Sequence, residues 1–167
     1  MKKNLFTYLI LIFAVSSAAT LPFAKGFKYT SAEGKFSISF PGEFKTETTD
    51  QDEAKTVKTS ATLGDLTYFA SYTLHQIKMS EPESLAGTSL EAFTEATGGS
   101  ITSQSEWKIK EHKGVKATIS LEEQKSKIQY QVILVGQLQY QILVVAPNAS
   151  WYQKTADTFF KSFKLGK

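Results

Sequence analysis

The chain has 167 residues, 41% hydrophobic and 21% charged, with a formal charge of +3, no cysteine and 19 basic residues that are all lysine. The missing cysteine excludes disulfides, thiolate metal sites, a cysteine nucleophile and lipid attachment through a cysteine, and the missing arginine excludes planar bidentate clamps on phosphate or carboxylate. Length and composition fit one globular domain, and they say more about where the chain goes and how it folds than about its task.

Met1-Lys2-Lys3 precedes an apolar run from Leu5 to Val15, broken only by Thr7 and Tyr8, and then Ser16-Ser17-Ala18-Ala19. This is the layout of a secretory signal peptide, with cleavage after Ala18 or Ala19 placing serine at −3 and alanine at −1. An uncleaved anchor is the alternative, because Asn4 to Ala24 is uncharged and about 20 residues span a bilayer. Ser16 to Thr20 dilutes that stretch and Pro22 would end it. The expectation is therefore a signal peptide at 1–19, a short segment at 20–26 and one domain at 27–167, exported to a periplasmic or extracellular space. Loss of Lys2 and Lys3 lowers the formal charge from +3 to +1, too little for the basic stripe that nucleic acid requires. The mature chain, about 145 residues, is long enough to bury about two-thirds of its unfolded surface without staples.

Phe27 to Thr30, a turn at Ser31-Ala32-Glu33-Gly34, and Lys35 to Phe40 read as a hairpin, with Phe36, Ile38 and Phe40 alternating with polar residues until Pro41-Gly42. Residues 43–55 are polar and read as an exposed loop or strand end. Val57 to Leu63 and Leu66 to Ile77 form the next predicted pair around Gly64-Asp65, with Tyr68, Ala70, Tyr72 and Leu74 on one face. Ser80 and Glu83 suggest a capping box before a helix carrying Ala86, Leu90 and Phe93, stopped at Gly98-Gly99.

Four strand-like runs follow. Ile101 to Glu111 sets Trp107 and Ile109 against Lys108 and Lys110, and His112-Lys113-Gly114 reads as a turn. Val115, Ala117, Ile119 and Leu121 alternate with polar residues, and Gln124 to Lys127 reads as the next turn. Ile128 to Val135 and Leu138 to Ala146 flank Gly136-Gln137, and their apolar density predicts central strands. Ser150 and Gln153 suggest a second capping box, and Tyr152, Ala156, Phe159, Phe160 and Phe163 one apolar helical stripe. The predicted architecture is α+β, a single antiparallel sheet with helices packed on it.

Two stretches carry a family likeness: Gly34-Lys35-Phe36-Ser37-Ile38-Ser39-Phe40-Pro41, and the paired strands from Val132 to Val144 that lead into Ala156 to Leu165 with its Phe159-Phe160-Lys161-Ser162-Phe163 core. They resemble bacterial secreted proteins of the PsbP-like superfamily, which is named for an extrinsic photosystem II subunit and includes a yeast Ran-binding relative. The resemblance implies an α/β/α sandwich and, since that superfamily is mostly non-catalytic, a role in assembly, docking or cofactor retention. It carries no functional residue to a numbered position here, and nothing ties the chain to photosystem II or Ran.

His75 and His112 are the only histidines. His112 follows Glu111, and adjacent strand residues face opposite ways, so the pair is not expected to converge; His75 has no acidic neighbour in sequence. Neither metal nor cofactor is expected. Asp50-Gln51-Asp52-Glu53 lacks EF-hand spacing, with Lys55 where glycine is required. No G-x-S-x-G elbow and no glycine-rich phosphate cradle occur. Lys108, Lys110, Lys113 and Lys116 beside Trp107 are diluted by Glu106 and Glu111 and read as a solvated face. Asn148-Ala149-Ser150 fits a glycosylation sequon, but a helix start explains the same residues.

Among the aromatic residues, Trp107, Trp151, Tyr152 and Tyr72 are the candidate ligand or partner surface. The expectation is a monomeric, exported, non-enzymatic binding or accessory domain with no membrane span after cleavage. It would dock to an envelope protein assembly or hold an amphiphilic small molecule. The alternative is a small secreted hydrolase using Glu111 or Glu122 with His75 or His112.

Overall fold

The computed structural model describes residues 26–51 and 54–166; the expected signal peptide at 1–19 and its cleavage site lie outside them. Strands β1 (Phe27–Ser31) and β2 (Phe36–Phe40) form the expected hairpin. The Ser31 hydroxyl accepts the Gly34 amide at 2.8 Å and fixes the turn.

Seven longer strands make a second sheet: β3 (Lys45–Gln51), β4 (Ala54–Leu63), β5 (Leu66–His75), β6 (Ser100–Ile109), β7 (His112–Leu121), β8 (Ser126–Val135) and β9 (Leu138–Pro147). Their spatial order is β3-β4-β5-β9-β8-β7-β6, and every pairing is antiparallel. The two-residue turns at Gly64-Asp65 and Gly136-Gln137 are where they were predicted, with both glycines at positive φ. Helix α1 (Pro82–Thr97) lies on one face, and α2 (Gln153–Ser162) on the other.

The single-sheet expectation is corrected. After α2 the chain adds a short strand, β10 (Lys164–Leu165), to β2, so β1, β2 and β10 form a separate three-stranded sheet. Phe36, Ile38 and Phe40 leave this small sheet with one strongly apolar face. It stacks on the large sheet rather than joining its edge, because stacking removes those rings from water. Each ring or branched chain so buried stabilises the fold by about 1.5–3 kcal/mol. The Tyr140 hydroxyl donates to the Gly34 carbonyl at 2.8 Å and ties the two sheets together.

Four local expectations also change. Residues 45–51 form an edge strand whose residues are all exposed, so no apolar alternation marks it. Neither capping box forms: α1 starts from Glu81 in a left-handed conformation, and Ser150 instead donates to Asp65 Oδ2 at 2.6 Å. The β6–β7 turn is Lys110-Glu111, with His112 already in strand. The β7–β8 turn runs over 122–125.

The packing divides the large sheet diagonally. On one face Ala86, Leu90 and Phe93 of α1 cover Ala117, Ile119, Ile128, Tyr130 and Val132, with Phe93 stacked on Tyr130 at 4.5 Å. On the other, the small sheet and α2 cover Val57, Tyr68, Ala70, Tyr72, Ile142 and Val144 of β4, β5 and β9. Strand β9 lies between them and contributes to both cores, as its apolar density predicts. Two quadrants stay uncovered: β3–β5 on the α1 side, and β6–β8 on the α2 side.

Candidate functional site

The titratable candidates fall in three separate places. His75 Nε2 and Gln139 Oε1 share a hydrogen bond at 3.2 Å, Gln139 Nε2 donates to Ser89 Oγ at 3.1 Å, and Ser89 donates to the Leu85 carbonyl at 2.7 Å. His75 is thus the outer end of a polar chain that fastens α1 to the sheet. His112 does meet Glu111, at 3.2 Å, against expectation. The reason is the shifted turn: Glu111 is a turn residue, to which strand alternation does not apply. Its side chain is 75% exposed, so the pair stands in water. Glu122 is an exposed residue of the next turn and bonds neither histidine. Among the described residues no three His, Asp or Glu side chains are grouped to hold a metal. Two lysines of the β6–β7 hairpin are drawn into ion pairs, Lys108 with Glu106 at 2.8 Å and Lys113 with Glu83 at 3.6 Å.

The aromatic candidates are also dispersed. Tyr72 is a core residue, 3% exposed, with its ring 6.1 Å from Phe36. Its hydroxyl donates to Glu33 Oε2 at 2.6 Å, and Lys55 Nζ bonds the same carboxylate at 2.8 Å. Lys55, and after it Tyr72, hold the Glu33 carboxyl below its ordinary range. Burial, and after it Glu33, push the Tyr72 phenol up to about 12. Trp107 is half-buried beside Phe163, at 5.8 Å. Trp151 donates from Nε1 to Gln153 Oε1 at 2.9 Å, and Lys127 Nζ sits 4.4 Å from its ring. Tyr152 is 59% exposed at the start of α2 and does not join the buried stripe of Ala156, Phe159 and Phe163.

What the fold does assemble is a groove of about 410 Å³ in the uncovered quadrant beneath α2. Strand register sets its floor as two rows, Ser103–Thr118–Gln129 and Ser105–Lys116–Gln131. Gln153, Asp157, Phe160 and Lys161 of α2 form its wall. One row further along, Trp107 lies opposite Gly114; one row the other way is Lys127, beneath Trp151. Gly114 is required there, since a Cβ would come within 2.1 Å of the Val132 carbonyl. Gln153 and Gln129 exchange two hydrogen bonds, at 3.0 and 3.3 Å, and Gln153 donates to Asp157 at 2.7 Å. The Gln131 Oε1 atom is buried and has no hydrogen-bond partner among the described residues. In the sequence only Lys116 and Thr118 stood out, as the polar half of one alternating strand, and Ile128 to Val135 was expected to be a central strand. Only periodicity was visible, not that three strands place these floor residues side by side under a helix.

A second, shallower cleft lies at the end of the sheet around Lys55, Leu74, His75 and Gln137. Among the described residues no helix is long and apolar enough to cross a membrane.

No family model matches the chain, and no curated protein matches it in sequence. In structure it is similar to cyanobacterial PsbP (CyanoP) from Synechocystis sp. PCC 6803, with a TM-score of 0.62 at 8% identity over 90% of this chain and 98% of that one. A crystal structure from Bacteroides thetaiotaomicron VPI-5482 aligns with a TM-score of 0.41 at 11% identity, over 85% of this chain and 49% of that one. The first of these likenesses shows a PsbP-like fold, as the sequence resemblance implies.

Proposed function

We propose that this PsbP-like chain is an exported, non-enzymatic accessory domain that docks to a larger envelope assembly, with residues 1–19 as its removable leader. The observation that carries docking is strand β6. It forms one edge of the large sheet, and residues 100–106 are exposed along their whole length. Residues 100–105 hold no charge and no proline, two of the usual guards of a free edge, and carry a third, a bulge, only between Ile101 and Ser103. Such an edge offers unpaired backbone groups to an extended segment of a partner protein. A held amphiphile has less support, since both clefts are lined largely by polar side chains. The hydrolase reading has only the open Glu111–His112 contact, with no third group among the described residues to orient the imidazole.

A photo-crosslinking side chain at Thr102 should capture one discrete protein adduct in intact cells, and Ser103→Pro should abolish it while the far-UV spectrum stays unchanged. The same probe at Thr49 on the opposite edge should capture none. Equal adducts at both edges, or none at Thr102, would sink the docking reading.

A further inference from the structure

Strands β6, β7 and β8 alternate, so covering one face with α1 necessarily turns Ser103, Ser105, Lys116, Thr118, Gln129 and Gln131 to the other. There they line the concave side of a groove rather than an open wall, because α2 stands along it. The groove's volume, about 410 Å³, is that of a small-ligand site. Two of its features are incomplete. Gln131 Oε1 is withdrawn from solvent with no donor among the described residues, a deficit of about 1–3 kcal/mol that is removed when the side chain turns its amide to an incoming donor in the groove. Lys116 and Lys161 have no ionic partner among the described residues. The rest is already fixed: the Gln129–Gln153–Asp157 bonds, anchored by Trp151 Nε1, hold the wall in place before anything binds.

An occupant must donate to Gln131, exchange hydrogen bonds with a floor of hydroxyls and amides, and bring negative charge to two lysines while keeping clear of the Asp157 carboxylate, which Gln153 holds at 2.7 Å. An inorganic anion such as hydrogen phosphate brings charge and a P–OH donor but is too small to engage both rows of the floor at once. An amphiphile's tail leaves the floor unpaired. A ring bearing several hydroxyls and a carboxylate meets all three. The geometry points to a binding site for an acidic saccharide of the uronate class in the groove between α2 and strands β6–β8. The site is independent of the docking reading, because its occupancy is measured on the purified protein with no partner present.

The test is a titration of the purified, isotope-labelled protein with trigalacturonate, and in parallel with neutral galactotriose, inorganic phosphate and tri-glutamate. Trigalacturonate should shift the amides of Lys116, Gln129, Gln131 and Lys161 in a saturable way and bind at least about tenfold more tightly than galactotriose, a difference of about 1.4 kcal/mol. Gln131→Leu and Lys161→Ala should each weaken it by about tenfold with the thermal transition retained, and Thr56→Val on the opposite face should not. No saturable shift with trigalacturonate overturns the site. Phosphate or tri-glutamate binding as tightly overturns its assignment to a saccharide.

Discussion

The two uncovered quadrants of the large sheet are both polar, yet they differ in how completely their side chains satisfy one another. Across β3–β5 on the α1 side, Thr56 and Thr73 share a hydrogen bond at 2.9 Å, Thr62 and Thr67 one at 3.3 Å, and Lys58 pairs with Glu47 at 2.8 Å. These partners come from directly opposite positions on neighbouring strands, so each row closes on itself, and no helix overhangs them. Across β6–β8 on the α2 side, a buried amide oxygen has no hydrogen-bond partner and two lysines no ionic partner among the described residues, and α2 makes the surface concave. Polarity alone therefore does not mark a site. The mark is a concave surface whose hydrogen-bonding groups are left incomplete.

Three perturbations bear on this contrast, the largest first. Gly114→Ala puts a methyl group against the Val132 carbonyl and Ile133 and must push β7 away from β8, a strain costing about 3 kcal/mol. Urea unfolding should register that loss, together with broadening of the groove-floor amide signals and no change across β3–β5. If stability is unchanged, the groove floor is more pliable than its close packing implies.

The second is alkaline pH. Burial raises the phenol pKa of Tyr140 to about 12 and that of Tyr72, with help from Glu33, also to about 12. It raises those of Tyr68 and Tyr130 as well, and neither hydroxyl has a hydrogen-bond partner among the described residues. Each folded value lies above the unfolded one near 10, so the folded state favours the protonated phenol. The resulting stability is complete below about pH 10 and is lost as pH rises through and beyond 12. All four rings belong to the covered quadrants. The phenolate signal of these four rings should therefore appear only together with unfolding. Phenolate formed at any of the four well before unfolding would mean that the covered quadrants admit water.

The smallest effects separate the uncovered quadrants directly. Thr56→Val removes half of a part-buried pair and leaves Thr73 short of a partner, at a cost of about 1 kcal/mol. Gln131→Leu removes an acceptor that had no partner and should leave stability unchanged or raise it by about 1 kcal/mol. Opposite signs in thermal unfolding sharpen the distinction, and equal losses would erase it.

Legibility in the sequence followed burial. Strands β2, β5, β7, β8 and β9, the two glycine turns and both helices could be read because each sets apolar residues at a period of 2 or 3.6 against one core. Strand β3 was silent because an edge exposed on both faces has no reason to alternate. Strand β10 has two residues and exists only because β2 is beside it. The second capping box failed because Ser150 found Asp65, 85 positions away, a competitor that no local pattern contains, and the first because α1 starts from a left-handed Glu81. Among the candidate aromatics, Tyr72 went to the core and Tyr152 to solvent. Trp107 and Trp151 came to stand one row beyond either end of a groove that the sequence did not mark.

The sequence by itself determined which faces of which strands must be buried, where the chain turns, and that no cysteine or arginine chemistry operates. These follow from local periodicity and residue type. The tertiary structure decided that α1 and α2 cover diagonally opposite quadrants, that the first hairpin stacks as a second sheet, and that six polar residues from three strands become a groove. Those outcomes depend on which distant apolar surfaces meet, and that competition is resolved only when the whole chain excludes water together.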